Sequence, residues 1–146
     1  MGAPLGDSTQ FPSIATFTTV QTKRLNVHGG TALVSGNIAL SSGWGTSPTL
    51  TINRGVDQAA SIQITAKATT AANPTVTVTF ADGTFTQIPV VVPTRTDITA
   101  ATGAPSTSVA NDWVPTTVSA TQVVFTFNGT PVANSVYGLA WIALGT

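Results

Sequence analysis

The sequence predicts an all-β chain: an antiparallel β-sandwich, Ig-like or jelly-roll-like, behind an irregular N-terminal arm. Three observations carry that expectation. Apolar and polar residues alternate with a period of two in several short stretches, the signature of strands with one face on a core. Turn-forming residues recur throughout, with 13 glycines and 9 prolines in 146 residues, close to the 8–12-residue punctuation of sandwiches and barrels. Threonine fills about one position in five, and its β-branched, polar side chain suits the wet face of a strand. Helical periodicity is nearly missing, and there is no heptad or repeat from which a shaft could be built.

In chain order, residues 1–13 contain Pro4 and Pro12 and no alternation. They read as the arm, and residues 14–146 as the sandwich domain. Strands are expected over 14–20, 31–40, 49–53, 60–68, 75–81, 84–92, 116–127 (broken near Ala120) and 136–144. The clearest alternation sets Ile62, Ile64, Ala66 and Ala68 against Ser61, Gln63, Thr65 and Lys67; Val76, Val78 and Phe80 stand similarly against threonines. Asp82-Gly83, between Phe80 and Phe85, suits the positive φ of a type I′ hairpin turn, and Asn128-Gly129 signals a second tight turn. Residues 94–112 are rich in Thr, Ser, Ala and Gly and read as a long loop. The last strand, Gly138 to Leu144, is apolar on both faces, so its outward face needs a cover from the same chain or from a neighbouring subunit.

Composition excludes several classes of partner. Charged residues make up 7% of the chain, and Lys plus Arg (5) balance Asp plus Glu (5), whereas about a quarter of an ordinary soluble domain is charged. Five scattered cations give neither the clustered charge that displaces counterions from nucleic acid nor a patch for an anionic membrane. Without cysteine there is no disulfide framework and no thiolate metal site. The opening residues Met1–Gly6 have no charged or apolar signal-peptide regions, and Gly6 stands where a myristoylation motif needs Ser or Thr. Pro115 and Pro131 interrupt the uncharged residues 113–146, which therefore do not read as a spanning helix.

Chemistry is equally sparse. All five acids are aspartates, none close to another in sequence, so no acid/base pair is apparent. His28 is the single histidine, too few for a zinc site, and beside Gly29-Gly30 it reads as a turn residue. No G-x-S-x-G elbow or phosphate-binding glycine loop occurs, and no cofactor or catalytic residue is expected. Asn128-Gly129-Thr130 has the form of a glycosylation sequon but lies where a turn is expected. Trp44, set between Gly43 and Gly45, and Trp113 stand at loop–strand boundaries. There a ring either packs as a corner or is presented to a sugar. The packed corner is the expectation, with Arg54 and Asp57 pairing to close the turn that follows.

An ordered series of residues adds a resemblance. It runs through Gly43-Trp44-Gly45, Asp57, Ile62 to Thr65, Ala72 to Phe80, Asp82 to Phe85, Pro89 to Pro93, Trp113, Phe125 to Ala133 and Tyr137. The series resembles a β-sandwich module of tailed-bacteriophage virion proteins, found in capsid decoration (cement) proteins and in tail-fibre tips. The resemblance covers about residues 40–146 and brings no catalytic residues. A short arm and no shaft look more like the decoration proteins. It implies a protein on the capsid surface of a virion that binds the major capsid protein, bridges capsomers and works as a homotrimer. Candidate capsid-binding residues in the arm are Leu5, Asp7, Gln10 and Phe11. Candidate subunit-interface residues in the last strand are Leu139, Trp141, Ile142 and Leu144. The alternative is a receptor- or carbohydrate-binding tail module.

Overall fold

A computed structural model describes residues 30–99 and 113–145. The expected arm and the strand expected over 14–20 lie outside the described residues, as do His28 and most of the expected 94–112 loop. The described strands are β1 (Ile38–Leu40), β2 (Thr49–Val56), β3 (Ala59–Thr65), β4 (Thr75–Thr79), β5 (Val90–Thr99), β6 (Trp113–Val118), β7 (Gln122–Phe127) and β8 (Val136–Leu144). They form two antiparallel four-stranded sheets, ordered β1-β4-β7-β6 and β2-β3-β8-β5, which pack face to face as the β-sandwich expected. Among the described strands only β2–β3 and β6–β7 are hairpins; every other consecutive pair lies in different sheets.

The period-two residues become the core. Val76 and Val78 on β4, with Val123, Phe125 and Phe127 on β7, face Ile62 and Ile64 on β3 and Leu139 and Trp141 on β8. Pro93 and Pro115 lie in β5 and β6, which are edge strands. A missing N–H costs least at an edge, and there it discourages pairing with another chain.

Several expected boundaries move. Of residues 31–40 only Ile38–Leu40 is strand, because Ser35–Asn37 closes a 3-10 turn and the Asn37 side chain accepts the Val34 N–H at 3.0 Å. Asp82-Gly83 does turn, with Gly83 at φ 98°, but it makes no hairpin. Both edges of β4 are already filled, by β1 and β7, so the chain must cross to the other sheet. On the way, the Phe80 and Phe85 N–H groups donate to Thr121 and Ala120 carbonyls at the β6–β7 turn. Strand therefore begins at Val90, just past Pro89, rather than at 84. Residues 94–99, expected in a loop, continue β5 against β8. Asn128-Gly129 turns the chain to β8 in the other sheet instead of forming a hairpin. Its Gly129 N–H donates to the Asn73 side chain at 3.2 Å, and the Asn73 N–H donates back to the Gly129 carbonyl at 2.7 Å.

Trp44 ends a 3-10 turn, Ser42–Trp44, and is fully buried. Its ring stacks on Trp113 at 5.5 Å and meets Phe127 and Tyr137 at 5.6 Å each. Its indole N–H donates to the Thr75 carbonyl at 3.0 Å. The flanking glycines allow the insertion. Gly45 has φ 98°, and a Cβ there would collide with the Lys67 carbonyl oxygen; a Cβ on Gly43 would press on Pro74 at 3.0 Å. The tryptophan between glycines is thus a packed corner.

Trp44→Ala is expected to lower the unfolding free energy by about 3–5 kcal/mol, the range for deleting a buried aromatic ring. Equilibrium denaturation checks this, and Gly45→Ala should also destabilise because its backbone lies in the left-handed region.

Candidate functional site

One pole of the sandwich gathers what the sequence scatters. The β2–β3 turn, the loop 81–85, the C-terminal end of β8 and the start of β5 meet there, and the described chain begins at the same pole, at Gly30. A Cβ on Gly30 would touch the Asp82 carboxylate at 2.8 Å and the Val56 side chain at 2.9 Å. The Leu33 N–H donates to the Gly55 carbonyl at 3.0 Å, holding the incoming segment along the end of β2.

Asp57 organises this pole. It is 1% exposed, and its two carboxylate oxygens accept the N–H groups of Ala81 and Asp82, each at 2.6 Å. Its backbone carbonyl accepts the Trp141 indole N–H at 3.3 Å. The partner expected in the sequence, Arg54, instead lies exposed on β2 opposite Ser61. A buried carboxylate is best satisfied by fixed N–H donors close to it, and the crossing loop supplies two.

A cleft of about 310 Å³ opens beside this carboxylate, lined by Asp57, Gln58, Asp82, Thr84 and Phe85 among others. Two aspartates distant in sequence therefore converge, but with Asp57 spent on backbone donors, Asp82 is the carboxylate left facing solvent. Its Oδ1 accepts the Thr31 N–H at 2.6 Å. Hydrogen bonds from the Thr31 side chain and then its backbone hold the Asp82 carboxyl below its ordinary range. Among the described residues, no three His, Cys, Asp or Glu side chains come together to hold a metal ion.

The tryptophans leave no platform for a sugar. Trp44, Trp113 and Trp141 are 0%, 6% and 2% exposed, and the indole N–H of Trp113 is spent on the Gly138 carbonyl at 3.0 Å. The four residues expected at a subunit interface divide. Leu139 and Trp141 lie in the core of the single chain, where alternation along β8 places them, so they offer nothing to a neighbour. Ile142 and Leu144 face outward, 43% and 57% exposed. The expected arm residues Leu5, Asp7, Gln10 and Phe11 lie outside the described residues.

Ile142 and Leu144 belong to a larger outward corner that includes residues of β5 missed in the sequence. Val92 pairs with Ile142 and Val90 with Leu144; both valines are more than half exposed, as is Ile88 just upstream. The signal was present in Ile88 to Val92, but a strand drawn over 84–92 gave no reason to join it to β8. Along the row across the sheet, Val56 pairs with Ala59 and Ala59 with Ile142, so the apolar character extends toward Gly30. The next rows turn polar, through Thr94, Ser61 and Arg54 and then Thr96, Gln63 and Thr51. Comparison of the chain with protein families, curated proteins and solved structures finds no match.

Asp57→Ala is expected to lower stability by about 2–4 kcal/mol by leaving two N–H groups without an acceptor. Asp57→Asn, which keeps one acceptor oxygen, should lose about half of that, as measured by urea denaturation. Asp82 has a folded pKa below its unfolded value of 3.8. The stability it contributes is therefore fully present above that value and is lost as pH falls through the lower, folded pKa. Melting temperature should accordingly stay nearly flat between about pH 5 and 9 and fall only in stronger acid.

Proposed function

We propose that the chain is a structural virion protein, a cement protein on the outside of a phage head, working by binding rather than by chemistry. The observation that carries this reading is the pole at Gly30. There the described part of a nearly uncharged sandwich begins, at one end and beside Val56 and Asp82, so that the residues before Gly30 join it at that end. A sandwich that an arm would join at one end suits a protein that lies across a junction and reaches its neighbour. Surface buried across capsomers stabilises the closed shell relative to free subunits, as any ligand selective for the assembled state does. A surface covered by Thr, Ser, Asn and Gln would keep that contact insensitive to pH and salt. The protein would bind the major capsid protein through residues 1–13 and work as a homotrimer whose copies meet through their sandwich domains.

Antibody labelling of virions should decorate the head surface; label confined to the tail would overturn the reading in favour of a tail module. Deleting residues 1–13 should leave the sedimentation of the free protein unchanged while reducing co-sedimentation with capsids. Equal capsid binding by the truncated form would remove the arm from the mechanism.

A further inference from the structure

Asn128-Gly129 follows β7 and turns the chain toward β8, and Asn128 is exposed. An asparagine side chain holds an electrophilic carbon where the main-chain nitrogen of the next residue can close a five-membered ring, an attack that proximity favours. Two things decide whether it happens: what crowds that nitrogen, and what holds its proton.

The other described asparagines fail on one count or both. Asn73 precedes Pro74, which has no N–H to lose. Asn37 precedes β-branched Ile38, whose N–H donates to the Ser35 carbonyl, and its own side chain accepts the Val34 N–H at 3.0 Å. Asn53 precedes Arg54 inside β2, where pairing with Ser61 holds the backbone. Asn134 precedes the buried Ser135, whose N–H donates to the Val132 carbonyl at 3.1 Å. Gly129 differs. It has no side chain, its φ of 146° is one that glycine alone adopts readily, and it lies past the end of β7. Its N–H is held by a side-chain oxygen, Asn73 Oδ1, at 3.2 Å, the long end of the hydrogen-bond range. Asp82-Gly83 shares the glycine, but an ionised carboxylate is a far poorer electrophile than an amide.

We propose that Asn128 is a site of spontaneous covalent modification, closing onto the Gly129 nitrogen with loss of ammonia, and that the Asn73 side chain sets its rate. Hydroxide or a buffer base takes the Gly129 amide proton, and the nitrogen's electron pair forms a bond to Asn128 Cγ. The Cγ–Nδ2 bond breaks, and Nδ2 leaves as ammonia with a proton from solvent. Water then opens the succinimide. Attack at Cγ gives aspartate; attack at the main-chain carbonyl gives isoaspartate, whose main chain runs through Cβ and Cγ. Nothing is oxidised or reduced. Either product takes the formal net charge from 0 to −1.

Isoaspartate also lengthens the main chain between two fastenings. The Phe127 N–H donates to the Pro74 carbonyl at 2.9 Å, and the Gly129 carbonyl accepts the Asn73 N–H at 2.7 Å. Both tie the β7–β8 connection to the entry of β4, beside the Thr75 carbonyl that accepts the Trp44 indole N–H. The extra methylene cannot keep both in register. The capsid reading plays no part in this chemistry.

The test ages the full-length protein in mildly alkaline buffer at physiological temperature and follows each asparagine by peptide mass spectrometry with separation of isoaspartate. Asn128 should convert at least about tenfold faster than any other described asparagine. Asn128→Gln, which would need a six-membered ring, should abolish conversion at this position and the acidic shift on ion exchange that goes with it. Asn73→Gly removes the Oδ1 acceptor, tolerates the φ of 54° at that position and keeps the main-chain N–H. It should speed conversion of Asn128 by about fivefold, the factor that one ordinary hydrogen bond is worth. Asn128 left intact in the folded protein while it converts in urea, or faster conversion at another described asparagine, would overturn the site. An unchanged rate in Asn73→Gly would overturn its control by Asn73.

Discussion

The sandwich depends on an aromatic contact that neither sheet could make alone. Trp44 comes from the connection between β1 and β2, Trp113 and Phe127 from one sheet, and Tyr137 from the other. Such ring pairs contribute about 0.5–1.5 kcal/mol each beyond the area they bury. Burying an indole also demands an acceptor for its N–H, and carbonyls at Thr75 and Gly138 supply them. The Tyr137 hydroxyl likewise accepts the Val132 N–H at 2.7 Å, fixing the chain as it enters β8. Packing and hydrogen bonding thus select the same geometry, which sets the separation of the sheets at this end.

At the opposite pole the same task falls to a charge. Asp57 ties the β2–β3 turn to the loop that leaves β4, and the Ala143 N–H donates to the Gln58 carbonyl at 2.9 Å. Trp141 links this pole to the core, since its ring meets Phe125 at 5.5 Å while its N–H reaches the Asp57 carbonyl. In a chain with so few ionisable groups, spending one on backbone amides makes sense only where backbone must be fixed without a ladder. A crossing loop is such a place.

The strands were legible wherever one face alone met the core. Residues 136–144 appear as β8 with the expected bounds, and the break near Ala120 is the β6–β7 turn. Local alternation cannot report which strand lies beside which. Asp82-Gly83 has the chemistry of a hairpin turn, yet occupancy of both edges of β4 decides where the chain goes next. The same limit hid the site. Asp57 and Asp82 lie 25 residues apart with nothing between them to suggest that one accepts the other's N–H. Val90 and Val92 join Ile142 and Leu144 only through the register of β5 on β8. The corner role of Trp44 was legible for a different reason, since glycines on both sides signal backbone pressed close to something large.

The surface that results has an asymmetry of its own. Across most of the described outer face of the second sheet, threonine, serine and glutamine, with Arg54, keep the strands wet with little charge, while the aliphatic residues concentrate at the corner of β5 and β8. Without charge repulsion, little besides covering such a corner keeps it from chance association. Two of the edge strands, β5 and β6, show the same economy of means, because Pro93 and Pro115 remove an N–H and discourage pairing there without a charge. In a chain that relies on shape rather than charge to control association, the apolar corner of β5 and β8, with Val90, Val92, Ile142 and Leu144 exposed, is the surface where contact is least opposed.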